Sequence, residues 1–468
     1  MTAAANHFAP PALVILLVVA TAFNDLQPFL PLGELSRDAF VYLFPIGFLY
    51  LILRPGQITF PVGFTLLFMA FLVTIITSVV MNYNEISVAY FKQRTGMSRV
   101  ITQGMAVALG PLVTLLFYNF VKRGHIRGIS RGAEIALWVM GAFGVLEIAS
   151  WYNTPILTQI FEILSLVLHA ETNSFYPVRL RLTAFEASWT AVMMTFVFPF
   201  AMTRASPRKL LVYAAFVMFA MVLAQSRTAM LAVGFQFLML ILAFMRRQKD
   251  YFVYVTATFC FTILTLFMTP GVQQNLITKV SNLIEFGNPD GMIDPNGGFE
   301  NVSNVTRLAA IEAGRSMFEE RPVFGVGFGQ YGFNYPSHVR MDDMRSWEVR
   351  SYVTEADIEL AWPPAYSLHI RLLAELGMFG YFLWLALILP PLLRSLRMAD
   401  GMTYLGRMHL AVAMTLTGWM LLGASIDSFR FFGGWIALGV GLALSRPPRG
   451  YSGSLVTSPS DAAWKPQS

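Results

Sequence analysis

The chain is dominated by apolar runs long enough to cross a lipid bilayer. Its mean hydropathy is +0.57, and 56% of its residues are hydrophobic while 13% are charged, which is too little charge for an ordinary globular domain. An apolar helix of about 20 residues crosses the hydrocarbon core and satisfies its own backbone hydrogen bonds. We therefore predict an all-α polytopic membrane protein with about twelve transmembrane helices, near residues 8–24, 38–53, 60–81, 99–121, 133–151, 186–203, 208–225, 227–245, 251–268, 365–393, 408–426 and 429–445.

Basic residues are unevenly shared between the two sets of alternating loops. One set holds seventeen Lys and Arg against four Asp and Glu, and the rest of the chain holds sixteen against twenty-three. Because Lys and Arg near span ends favour the cytoplasm, both termini are predicted to be cytoplasmic. These short loops also account for the net charge of +6, so no nucleic-acid partner is expected. Residues 11–23 are predicted to be the first span rather than a signal peptide, because no Lys or Arg precedes them.

A polar segment, residues 269–364, separates the ninth and tenth predicted spans. It is too long for a structureless connection in a compact protein, and the charge distribution places it on the non-cytoplasmic side. The predicted organisation is therefore residues 1–268 with nine spans, 269–364 as a large outer loop, 365–446 with three spans, and 447–468 as a disordered cytoplasmic tail.

Two shorter helices are predicted outside the spans. Residues 155–170 are apolar but short for a span, so this helix is expected to lie along the membrane interface. Within the outer loop, residues 284–303 are rich in turn-forming types, and residues 305–320 have helical periodicity. The predicted buried positions of that helix are Leu308, Ile311, Ala313 and Met317.

The sequence does not favour a cofactor or a metal. Gly327 to Gly332 fits the pattern GxGxxG, but no strand and helix of a dinucleotide fold surround it, so a glycine-rich turn is the better interpretation. Residues 290–294 lack the regular ligand spacing of a calcium loop. The single cysteine, Cys260, lies in a predicted span and leaves no thiol metal cluster.

Arginines stand where two predicted spans begin. Arg227 opens one span, and Arg179 and Arg181 stand just before Glu186 at the start of another. The structural interpretation of Arg227 is a side chain that reaches the lipid headgroups. That of Arg179 and Arg181 is a surface salt bridge with Glu186. The functional one is an anion clamp, since guanidinium groups bind phosphate oxygens in a bidentate way and several together suit a diphosphate.

The run from Tyr366 to Glu375 places ionisable groups at the start of the tenth predicted span, where such groups are functional candidates. On a helix His369 shares a face with Leu373, whereas Arg371 and Glu375 lie four residues apart on another face. One interpretation is structural, with Arg371 and Glu375 as an ion pair and His369 at the interface. The other assigns these residues to the active site.

Taken together, these motifs resemble the O-antigen ligase and Wzy-type polymerase superfamily. The resemblance covers about residues 180–385 and rests on Ser226-Arg227-Thr, on Arg307, on the run from Arg321 to Tyr331 and on the run from Leu372 to Gly380. The order and spacing of these motifs carry it, rather than any single one.

The resemblance implies a metal-independent glycosyltransferase without a cofactor, in the bacterial inner membrane, with a C-type glycosyltransferase-like fold and a periplasmic loop. Its donor would be an undecaprenyl-diphosphate-linked oligosaccharide in the lipid bilayer, and chain-length regulator proteins are possible partners. By position, Arg181 and Arg227 would hold the diphosphate, with Arg179 and Arg371 as further candidates. The residues expected near the glycan or in the loop are Arg307, Tyr366, Glu375 and His338.

The sequence departs from the ligases at one point. Ligases usually carry a His-Asn pair nine residues before the glutamate, and this chain has Tyr366 and Ser367 there. The general base is then His369, Glu186 or His338, with His369 and Glu186 preferred. The departure favours a polysaccharide polymerase over a ligase that transfers glycan to lipid A core or protein. A multi-span transporter or flippase is the alternative from another class, although the chain shows no internal repeat.

Overall fold

The structure is a computed structural model of the 468-residue chain. It describes residues 9–30, 32–53, 58–169, 179–245, 248–268, 299–354 and 360–445. The predicted turns at 284–298 and the predicted tail at 447–468 lie outside these residues.

The described residues are almost entirely helical. The first group of helices is α1 (Ala9–Ala20), α2 (Ala39–Leu53), α3 (Val62–Met81), α4 (Tyr83–Val88), α5 (Gly96–Lys122), α6 (Ile126–Trp151), α7 (Pro155–Leu168), α8 (Ala187–Met202) and α9 (Pro207–Ala224). The second group is α10 (Arg227–Phe244), α11 (Lys249–Met268), α12 (Phe299–Glu320), α13 (Tyr331–His338), α14 (Trp347–Val353), α15 (Leu368–Met398), α16 (Tyr404–Leu422) and α17 (Phe432–Leu444).

Six helices within the described residues are long and apolar enough to cross a membrane: α3, α5, α6, α9, α15 and α16. Shorter apolar helices accompany them, among them α1, α2, α8 and α17. Each of the twelve predicted spans has a helix at its position, within a few residues to either side. The chain is therefore a multi-pass helical membrane protein, and twelve crossings remain a prediction.

Small residues bring the central helices together. Helices α5 and α17 cross where a Cβ on Gly110 would lie 2.2 Å from the Trp435 ring, so only glycine allows this approach. The rings of Trp384, Trp419 and Trp435 meet edge to face, with centroids 5.1–5.7 Å apart. Such close packing of small and aromatic residues holds membrane helices together where lipid offers no hydrophobic driving force.

The chain also forms one short hairpin that the sequence pattern does not predict. Strand β1 (Tyr90–Phe91) pairs antiparallel with β2 (Arg94–Thr95). Lys92 and Gln93 form its turn with φ of 47° and 58°, a left-handed conformation that hairpin turns usually assign to Asn and Gly. Thr95 then caps α5 by accepting a hydrogen bond from the Ser98 backbone, so the hairpin leads directly into the helix.

Two helices predicted outside the spans are present. Helix α7 covers most of 155–170 and buries none of its residues. Its position along the membrane interface stays a prediction. Helix α12 begins at Phe299, so the predicted 305–320 helix is longer at its N-terminus, and the prediction of turns is wrong for residues 299–303. Of the four positions predicted to be buried, Ala313 and Met317 are fully buried, whereas Leu308 and Ile311 are partly exposed.

Candidate active site at the loop end of the bundle

Residues 299–354 fold over one end of the helical bundle, which we call the loop end. The connection centres on a break in α15 at Gly377, whose φ is 65° and ψ −164°. At the break the Ala374 carbonyl accepts from the Val326 backbone, and Met378 donates to the Pro322 carbonyl, at 2.8 Å in each case. Residues 299–354, the outer segment, thus supply the hydrogen-bond partners that an unbroken helix would have supplied. The buried backbone groups at the break are therefore hydrogen-bonded.

The glycine-rich turn makes this insertion possible. Gly325, Gly327 and Gly329 all have positive φ, and a Cβ on Gly325 would lie 2.4 Å from the Ala374 carbonyl oxygen. A helix, α12, comes directly before this turn, and the part of the chain that the structure describes shows no dinucleotide fold around it. The GxGxxG pattern is therefore a turn with close backbone packing, as predicted.

Arg371 and Glu375 form a buried ion pair beside this turn. Arg371 Nε donates to Glu375 Oε1 at 3.2 Å, and both side chains are less than a tenth exposed. The same carboxylate oxygen accepts from the Tyr331 backbone at 3.2 Å, while Arg371 Nη1 donates to the Asp427 carbonyl at 2.8 Å. The pair therefore ties α15 both to the outer segment and to the loop before α17.

Tyr366, just before α15, meets Arg307 of helix α12. The Arg307 guanidinium lies 5.4 Å from the centroid of the Tyr366 ring, and the Tyr366 hydroxyl bonds with Glu348 at 3.0 Å and Tyr352 at 2.9 Å. Burial and the charge of Glu348 raise the pKa of Tyr352, so its hydroxyl stays protonated and donates to that carboxylate. Tyr366 thus anchors the segment at the position where the ligases carry histidine.

The two candidate histidines lie in different surroundings. His369 Nε2 lies 2.8 Å from the Met420 carbonyl oxygen, and its Nδ1 lies 3.4 Å from the Tyr381 hydroxyl. It therefore faces α16, away from Arg371, as the helical spacing predicts. His338 Nε2 lies 2.9 Å from Glu320 Oε2, which joins α13 to the end of α12.

Residues 179–186 form a compact loop against the ends of several helices. Both oxygens of Glu147 accept from the backbone of this loop, from Arg181 at 2.9 Å and Leu182 at 2.8 Å. Arg179 donates to the carbonyls of Ala224 and Gln225 at the C-terminus of α9, where a cation is stabilising.

Glu186 and Arg227 open the two helices beside this loop. Glu186 precedes α8 and accepts from Ser188 Oγ. Arg227 is the first residue of α10 and directly follows Gln225 and Ser226. Its side chain lies outside the described part of the structure. The loop therefore brings Arg179 to the C-terminus of α9, two residues before Arg227.

The structure also assembles four arginines that the sequence interpretation did not group. Arg94 and Arg99 stack on Trp362 with guanidinium-to-centroid distances of 5.0 and 4.9 Å, and Arg430 lies 4.9 Å from the centre of the Trp189 ring. These three and Arg371 all interact electrostatically with Glu34. We call Arg94, Arg99, Arg371 and Arg430 the guanidinium cluster.

Glu34 compensates this cluster. Partial desolvation by the surrounding protein raises the pKa of its carboxyl group, and the four guanidinium groups lower it, so that the balance lies below the ordinary value. Arg430 Nη1 also bonds with Asp38 Oδ2 at 3.2 Å. The only sequence signal of this cluster is an arginine near the start of an apolar run, at Arg99 before one span and Arg430 before another.

Among the described residues, no group of three or more His, Cys, Asp or Glu side chains could hold a metal ion. The candidate site residues offer guanidinium cations for an anionic ligand, and carboxylates and imidazoles as proton acceptors.

Residues 211–385 match the family model described as O-antigen ligase. This segment is similar to the O-antigen ligase family over those residues. The match supports the O-antigen ligase and polymerase superfamily that the motifs indicate, and that prediction is confirmed. A comparison with curated proteins found no match.

The matched segment, residues 211–385, contains only part of the candidate site. Arg227, Arg307 and the run from Tyr366 to Glu375 lie within it. The loop at 179–186 and three arginines of the guanidinium cluster lie outside it, although they pack at the same end of the bundle. The family indicates a glycan-transferring enzyme.

Proposed function

We propose that the chain is a polysaccharide polymerase. It joins repeat units linked to undecaprenyl diphosphate at the periplasmic face of the inner membrane, for O-antigen, capsule or exopolysaccharide. The proposal deepens the family relationship by naming the donor, the reaction and the membrane face.

The observation that carries the proposal is the concentration of guanidinium groups at the loop end of the bundle. Transfer from a lipid diphosphate releases a leaving group with growing negative charge, and preorganised cations stabilise that charge. Arg179 lies against the residues that precede Arg227, so the loop at 179–186 and the start of α10 can act on one anion. Arg181 and Arg227 are the proposed diphosphate ligands.

A general base must take the proton of the acceptor hydroxyl. We assign this role to Glu186, which is half-buried in the same loop as Arg179 and Arg181. Both ring nitrogens of His369 already have partners on α15 and α16. That arrangement favours a role in helix packing for His369.

The residue at the ligase histidine position favours polymerase over ligase. Tyr366 stands there, and its hydroxyl is engaged with Glu348 and Tyr352, while Ser367 caps α15. Transfer of glycan to lipid A core or protein remains the second candidate, because the matching family model is described as O-antigen ligase.

Competition between acceptors distinguishes the two functions. Purified chain in liposomes receives the lipid-linked repeat unit together with lipid A core, and the products are separated by size. A polymerase extends the lipid-linked glycan, whereas a ligase moves glycan onto lipid A core. If neither product forms, the proposal is wrong and a transporter or flippase becomes the better account.

A further inference from the structure

Glu34 occupies an unusual place within the guanidinium cluster. Its Oε1 lies 3.8 Å from Arg99 Nη1 and its Oε2 lies 3.9 Å from Arg430 Nε. Each oxygen thus faces a different guanidinium group at a distance beyond that of a hydrogen bond. The carboxylate compensates the two charges without satisfying their donors.

One donor of each guanidinium group, the Nε–H, is left unsatisfied. Arg99 Nε and Arg430 Nε are both buried, and neither has a hydrogen-bond partner among the described residues. A buried donor without an acceptor costs free energy, and the cost is larger for a charged group. Planar guanidinium groups with free donors match the oxygens of a phosphate or a carboxylate.

The backbone and side chain of Glu34 are held differently. Arg430 Nη1 donates to the Glu34 carbonyl, and Ser36 Oγ closes the short 3-10 turn, Gly33–Arg37, on the Gly33 carbonyl. The side chain is 57% exposed. Its carboxylate can therefore turn towards solvent while the backbone stays in place.

We propose that Arg94, Arg99 and Arg430 form an oxyanion-binding site, separate from Arg181 and Arg227, in which the Glu34 carboxylate takes the place of the ligand. The ligand is a phosphate or carboxylate group, and it enters as the Glu34 side chain swings out. Glu34 then keeps the cluster compensated when the site is empty and competes with the ligand for it.

That the ligand group belongs to a glycan substrate rests on the proposed function, whereas the anion site itself does not. Two sources share the chemistry: the diphosphate of a second lipid-linked glycan, since Arg181 and Arg227 hold the first, and the carboxylate of an acidic sugar. Binding measured without turnover therefore tests this inference even if the chain is not a polymerase.

The experiment measures binding of inorganic pyrophosphate and of digalacturonate to the purified full-length chain in detergent, by calorimetry at constant ionic strength. Glu34→Gln removes a carboxylate from roughly 4 Å of two guanidinium groups, so we expect about tenfold tighter binding of at least one probe. Arg99→Gln is expected to weaken that binding about tenfold. Glu319→Gln is the matched control, because Glu319 forms an exposed ion pair with Arg315 on α12.

The two probes separate the sources. Tighter binding of pyrophosphate assigns the site to a phosphate, and tighter binding of digalacturonate assigns it to an acidic sugar. The inference is overturned if Glu34→Gln binds both probes no better than the Glu319→Gln control. Arg94→Gln, at a half-buried position on the hairpin, replaces Arg99→Gln if that variant does not fold, and unchanged binding in it also overturns the inference.

Discussion

Arg371 and Glu375 face each other across one turn of α15, with Arg371 Nε 3.2 Å from Glu375 Oε1 and both side chains buried. The glutamate also accepts a hydrogen bond from the Tyr331 backbone N–H, so one ion pair joins a membrane helix to the outer segment. A buried pair of this kind is weak evidence for stability, because desolvation offsets much of the attraction. Removing one partner is nevertheless costly.

The first prediction concerns this pair. Arg371→Met leaves Glu375 buried without its cation and is expected to destabilise the chain by about 3–5 kcal/mol. The double variant Arg371→Met, Glu375→Met removes both charges and is expected to recover most of that loss. Thermal unfolding in detergent measures both. Equal destabilisation in the single and double variants would show that the unpaired charge of Glu375 is not the cause of the lost stability.

The glycine-rich turn gives the second prediction. Gly325→Ala places a Cβ against the Ala374 carbonyl at a residue with φ of 68°, so we expect a loss of about 2 kcal/mol or more. Gly104→Ala on α5 is the matched control, because a Cβ there meets no atom within 4 Å. It should raise stability by up to about 1 kcal/mol. Similar melting temperatures for the two variants would contradict the close-packing account of the turn.

Hydropathy predicts the helices well because their apolar length is set by the bilayer. The positions of all the predicted spans, and helices α7 and α12, could be found in this way. The hairpin could not, since Lys92 and Gln93 adopt a left-handed turn that their residue types do not signal. The break at Gly377 was equally hidden, because its cause is the distant Pro322–Val326 backbone.

Contacts between candidate site residues could be predicted only where the residues are near each other in sequence. The spacing of Arg371 and Glu375 anticipates their contact, and the opposite orientation of His369 follows from the same helix. Arg94, Arg99 and Arg430 come together through tertiary packing around Trp362 and Trp189. Hydropathy and helical spacing describe neighbouring residues, so they do not predict such long-range contacts.

Arg227 gives the third prediction. Arg227→Ala is expected to abolish polymer formation while membrane insertion remains normal, because the diphosphate loses a permanently charged bidentate ligand. Arg227→Lys should restore only part of the activity, since an ammonium group keeps the charge but loses the planar fork. Product gels of membranes carrying each variant, with protein amounts matched, measure the effect. Near-normal polymer in the alanine variant excludes Arg227 as a clamp.

The identity of the general base gives the fourth prediction. Glu186→Gln is expected to lower the rate of transfer about 10²- to 10⁴-fold, the range typical of general-base catalysis. His369→Gln keeps a donor for the Met420 carbonyl and is expected to retain most of the activity. Rates of transfer are compared only between variants whose melting temperature in detergent equals that of the wild type. Loss of transfer in the histidine variant alone would assign the base to His369 instead.

The most direct test of the account is the length of the glycan made by purified wild-type chain in liposomes with the lipid-linked repeat unit as the only substrate. Gel separation of the lipid-linked products is expected to show a ladder in which each band is longer by one repeat unit, and Arg227→Ala is expected to show only the starting band. A wild-type chain that is folded and inserted but leaves the repeat unit unextended would contradict the proposal that this protein is a polysaccharide polymerase.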